Sequence, residues 1–99
     1  MFEGIKEYKV SDYQMFDGDL KGSEYGGEID FDNGYGLSIV KHKNSYGGTM
    51  GLFEIMLLRN DNPYSLPPFT EEGDTIKGFL KKEEVDSIIS DVELLPATV

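Results

Sequence analysis

The sequence predicts an α+β domain: a small antiparallel sheet of about four strands around a central hairpin, with one C-terminal helix packed on one face. Three observations carry this reading. Asn33-Gly34 sits between two stretches of alternating apolar and polar side chains. Leu52 to Leu58, LFEIMLL, is an apolar run broken only by Glu54. Val85, Ile88, Ile89 and Val92 recur at i, i+3, i+4 and i+7, one stripe of a 3.6-residue period.

Each element follows from local chemistry. Gly27 to Phe31 reads as a strand, with Ile29 and Phe31 on one face and Glu28, Asp30 and Asp32 on the other. Asn-Gly then signals a tight hairpin, because both central positions of a type I′ turn need positive φ. Tyr35 to Lys41 is the return strand. Leu37 and Ile39 share one face, and Gly36, Ser38, Val40 and His42 the other. A connection over residues 44–51 leads into Leu52–Leu58, which reads as the most buried strand. Arg59-Asn60-Asp61-Asn62-Pro63 closes it with turn-forming residues. Residues 63–74 hold three prolines and read as an extended surface loop.

Thr75 to Leu80 reads as another short strand, and residues 81–94 as the helix. Glu83 and Glu84 sit in its first turn, where the helix dipole favours negative charge. Pro96 biases Leu95 away from helix and marks the end. Burying the four stripe residues stabilises by roughly 6–12 kcal/mol gross. The stripe must therefore cover something, and the sheet is the one surface available. The N-terminal stretch stays open: Ile5 to Val10 fits an edge strand with Tyr8 and Val10 inward, and Ser11 to Phe16 fits a short helix capped by Ser11. The 99 residues form a single domain, 1–99, in which the order of residues 1–26 stays open.

Charge is the strongest global feature. Nine basic and nineteen acidic residues give a net −10. Residues 1–34 carry −6, residues 35–62 carry +1 and residues 63–99 carry −5. Such a surface repels phosphate backbones, so direct nucleic-acid and anionic-membrane binding are not expected. It attracts a basic surface, including the groove of a nucleic-acid-binding protein. No cysteine is present, so neither a disulfide nor a thiolate nucleophile is available. No apolar run approaches the roughly 20 residues that span a bilayer, and the start MFEGIKEYKV lacks a secretory pattern.

Candidate sites are sparse. Asp17 to Glu28, DGDLKGSEYGGE, resembles a calcium loop at Asp17, Asp19, Gly22 and Glu28. Lys21 occupies the fifth place, where an oxygen ligand is required, and a strand follows instead of a helix. The segment reads as a solvated acidic loop, and no metal or other cofactor is expected. Asp30 and Asp32 share one strand face, which reads as solvent-facing. SYGGTMG lacks the Gly-Lys-Ser/Thr ending of a phosphate loop and feeds a strand. His42, the single histidine, has no triad or elbow motif around it, so no enzyme activity is expected.

Lys41, His42, Lys43, Tyr46 and Met50 form the one basic and aromatic cluster in an acidic chain. Tyrosine is enriched at binding hot spots. The expected partner-binding residues are therefore Asp17, Asp19, Glu24, Tyr35, His42, Lys43, Tyr46, Met50 and Tyr64. The acidic residues supply steering and the aromatic loops affinity.

FDNGYGLSIVKHKNSYGGTMGLFEIMLL, followed by DTIKGFLKKEEVDSIISDVELLP, resembles small uncharacterised acidic proteins of tailed bacteriophages. The resemblance covers residues 31–96 and rests on an NGYG turn, an SYG…GLFE connection and a GFL…EEV strand–helix step. It implies a phage product acting in the host bacterial cytoplasm. By analogy it implies an inhibitor of a host or defence protein with a basic surface, such as a CRISPR nuclease. The alternatives are a divalent-metal-binding module using the 17–32 segment and a minor phage structural or assembly protein.

Overall fold

The computed structural model describes residues 2–7 and 24–98. The expected strand through Tyr8 and Val10, the helix at Ser11–Phe16, and Asp17 and Asp19 lie partly or wholly outside these residues. The elements are β1 (Lys6–Glu7), β2 (Tyr25–Asp30), β3 (Tyr35–Lys41), β4 (Phe53–Arg59), β5 (Asn62–Pro63), β6 (Ile76–Leu80) and α1 (Lys82–Glu93). All pairings are antiparallel, in the order β1-β2-β3-β4-β5, with β6 also on β4. The architecture is α+β with one C-terminal helix, as expected. Among the described residues the strand count is six instead of about four. β5 is the unexpected one, a two-residue edge piece set by pairing register, which leaves almost no periodic trace in a sequence, whereas the equally short β1 falls within the Ile5–Val10 segment that fits an edge strand.

The β2–β3 turn also differs. Phe31 N–H donates to Tyr35 O (2.8 Å) and Gly34 N–H to Phe31 O (3.2 Å). Within the turn Gly34 has positive φ (+94°) and Asn33 does not. This is a three-residue loop closed by a glycine bulge, not a two-residue type I′ turn. The two-residue turn with both positions left-handed lies at Asn60 (φ 50°) and Asp61 (φ 67°), where β4 turns into β5.

Side chains alternate across the sheet. Leu37 and Ile39 of β3 and Phe53, Ile55 and Leu57 of β4 point to one face and are buried. Helix α1 covers that face with Val85 and Val92, both fully buried, and with Ile88 and Ile89, partly buried. The stripe read from the sequence thus packs where expected. Lys81 cannot cap through its own side chain. Instead Glu84 Oε1 accepts from the Lys81 N–H (2.9 Å). One end of the core is an edge-to-face cluster of Phe2, Tyr25 and Phe53, with centroids 5.3–5.9 Å apart. The proline-rich 63–74 stretch is less exterior than its composition suggests. Leu66 and Phe69 pack against the core, and buried Thr70 accepts from the Leu66 N–H (2.9 Å).

The opposite face of β4 carries Glu54, Met56 and Leu58, all half-buried. Among the described residues no helix lies over it. No described helix is long and apolar enough to cross a membrane.

Candidate functional site

The site is built from the connection after β3 and from a defect in β6. The connection is tightly wound. His42 N–H donates to Ser45 Oγ, and Ser45 Oγ–H donates back to His42 O, each at 2.9 Å. Asn44 N–H donates to His42 Nδ1 (3.1 Å), which places the ring proton on Nε2. Gly47 (φ +88°) and Gly51 (φ +78°) bracket a single 3₁₀ turn, Gly48–Met50. Gly48 packs so closely on the His42 carbonyl that no side chain fits there. Folding the backbone this tightly throws Tyr46 and Met50 outward, to 56% and 69% exposure.

β6 supplies the second half. Its pairing with β4 runs Met56↔Ile76 and Ile55↔Lys77, then shifts to Phe53↔Leu80. Gly78 and Phe79 are thereby left together opposite Glu54, a β-bulge. Phe79 takes a left-handed conformation (φ +57°), which costs a non-glycine residue roughly 1–2 kcal/mol. Phe79 is 57% exposed, and its ring lies near-parallel to that of Tyr46, centroids 6.4 Å apart at 14°.

Tyr46 is held from both sides. Its N–H donates to Glu54 Oε1 (2.8 Å), and its carbonyl accepts from the Phe79 N–H (3.1 Å). Gly78 leaves room for the Tyr46 Cβ, and any side chain at that position would collide with it. The result is a rigidly supported pair of exposed rings with Met50 on the same loop. Glu54 points to the face that α1 does not cover, so the pair adjoins that face.

The structure does not gather all nine expected residues. Tyr46, Met50 and Lys43 are on the exposed loop. His42, on the same loop, is 8% exposed and serves the turn beneath it. Glu24 precedes β2 at the same end of the sheet, since its neighbour Tyr25 pairs with Lys41. Tyr35 and Tyr64 lie at the other end. They meet edge to face (6.4 Å) against the core, with the Arg59 guanidinium 5.0 Å from the Tyr64 ring. Asp17 and Asp19 fall outside the described residues. Phe79 was missed, although a glycine inside a short strand pattern is itself a bulge signal.

The described residues contain no group of three or more His, Cys, Asp or Glu placed to hold a metal ion. Ser45 Oγ is engaged with the His42 main chain and not with the imidazole. A cleft of about 740 Å³ on the helix side, lined by Ile29, Phe31 and Ile89 with Glu3, Asp86 and Glu93, is separate from the aromatic pair. No protein-family model, curated protein or solved structure matches the chain.

Proposed function

We propose that this chain is a non-enzymatic binding protein that seats Tyr46, Phe79 and Met50 on a basic surface of another protein, and so inhibits a host or defence protein. The observation that carries the reading is Phe79. An exposed aromatic residue in left-handed backbone is unfavourable where glycine would be relaxed, and such strain concentrates at functional sites. Large exposed side chains clustered together mark interaction surfaces. Aromatic side chains on a fixed frame bind with little entropy loss on docking. The net charge of −10 supports a cationic partner, with charge accelerating encounter and the rings setting residence time.

The test is capture of bacterial proteins on the tagged chain, with Tyr46→Ala/Phe79→Ala as the control. A protein with a basic surface should be retained by the parent chain and lost from the double variant, with an association rate that falls as salt rises. Identical capture by both chains would overturn the proposal.

A further inference from the structure

The sheet is built to be covered twice. A strand apolar on both faces is the pattern of one buried on both sides, and β4 has that pattern. Phe53, Ile55 and Leu57 meet α1's layer. Met56 and Leu58 point the other way, where the register gives Met56 the neighbours Ser38 and Ile76, and Leu58 the neighbours Gly36 and Pro63. Val40 extends the band, and the Tyr46–Phe79 pair adjoins its end through Glu54. No described element covers it.

Its dimensions and charges select an occupant. β3, β4 and β6 span about 10 Å between outer strand axes, close to the 10–12 Å diameter of one α-helix. From Glu54 to Leu58 the band runs about 13 Å, some two and a half helical turns before the aromatic pair is added. Carboxylates border it: Glu28 and Asp30 on β2, and Glu54 beside Val40. Lys6, across from Glu28, is the one base on these strands' outward positions among the described residues. A second copy of the chain would set carboxylate against carboxylate.

We infer that the uncovered face docks an amphipathic helix of a partner protein. Its apolar stripe lies on Val40, Met56, Leu58 and Ile76, and its Lys/Arg flank turns toward Glu28 and Asp30. The inference rests on the reading of the chain as a binding protein and names the partner element. The partner's helix completes the layer that α1 forms on the other side.

The probe is a labelled helical Leu/Lys peptide of about 16 residues with leucines at i, i+3, i+4 and i+7, followed by fluorescence anisotropy. Met56→Glu and Leu58→Glu should each weaken binding at least about tenfold, the size of a 1.4 kcal/mol loss. Glu28→Lys/Asp30→Lys should weaken it and flatten its salt dependence. A scrambled peptide of the same composition should bind poorly. Thermal melts confirm that each variant is folded. Equal binding of the scrambled peptide, or unchanged affinity in both Met56→Glu and Leu58→Glu, overturns the inference. So does Met56 resisting peroxide oxidation in the isolated chain, which would show the chain covering its own face. A dimer in sedimentation that Met56→Glu dissociates would assign the face to a second copy and also overturn it. If Met56→Glu leaves cellular capture intact while Tyr46→Ala/Phe79→Ala removes it, the binding-protein reading stands and helix docking falls.

Discussion

The side-chain nitrogen of Asn33 lies 2.8 Å from the main-chain carbonyl oxygen of Val92, 59 residues along the chain. The same Nδ2 reaches Leu95 O (3.0 Å) and Glu93 O (3.3 Å), while Oδ1 accepts from the Tyr35 N–H (3.0 Å). The β2–β3 turn is therefore the C-terminal cap of α1. The last carbonyls of a helix lack intrahelical partners, and α1 has no basic residue in its last turn to serve them. Asn33→Asp keeps the acceptor, removes the donor and places a negative charge against the negative end of the helix dipole. It should destabilise by about 1–3 kcal/mol, lowering Tm by about 4–8 °C for each kcal/mol. An unchanged melting curve would mean that the cap contributes nothing.

Phe79→Gly separates stability from binding. Glycine relieves the left-handed conformation but adds unfolded-state freedom, and the exposed ring gives up little burial. The net change in stability should stay within about 1 kcal/mol. Partner capture should nevertheless be lost, because the stack on Tyr46 is gone. A large fall in Tm would instead show that the ring supports the fold, and the functional reading of its strain would lose its basis.

Elements with a clear period were legible. α1, β4 and the alternation in β3 all appear where their apolar spacing placed them. The features that failed to show depend on distant parts of the chain. Asn33-Gly34 announces a hairpin, but the turn type is settled by Thr98 and Asn60. The Thr98 N–H donates to Asn33 O (2.8 Å) and the Asn60 N–H to Gly34 O (2.8 Å). The left-handed Phe79 follows from the Tyr46 carbonyl on its N–H and from the space left at Gly78, neither readable from IKGFL alone. His42 looked like a strand residue and is the buried pivot of a turn, since β3 ends one residue earlier. Of the interaction residues, Tyr46 and Met50 were visible through composition, while their partner Phe79 was hidden among core-like aromatics.

Calcium should leave the protein's stability unchanged. In the loop that Asp17–Glu28 resembles, the twelfth residue binds the ion with both oxygens from the start of an exiting helix. Here Glu28 lies inside β2, exposed, with Ser38 across from it on one side and Lys6 on the other. Its carboxylate is committed to a sheet face and has an ammonium-bearing neighbour. At millimolar calcium Tm should stay within about 1 °C, because a ligand raises Tm only by binding the native state, and far below its Kd it binds almost none. A saturable rise of several degrees would restore the metal-binding alternative.

Leu57 and Met56 are adjacent on β4 and should respond very differently to truncation. Leu57 is fully buried between the sheet and α1, so Leu57→Ala removes packed atoms and leaves a cavity. That change typically costs 2–5 kcal/mol, roughly. Met56 is half-buried on the face over which no described helix lies, and Met56→Ala removes surface that is already partly hydrated. Its cost should be clearly smaller, about 1 kcal/mol, the centre of the range for point substitutions. Urea unfolding of both variants supplies the comparison. The midpoint should shift strongly for Leu57→Ala and little for Met56→Ala, with equal slopes. Comparable losses would mean that Met56 is buried in the isolated chain, and the sheet would then have no open face to offer a partner.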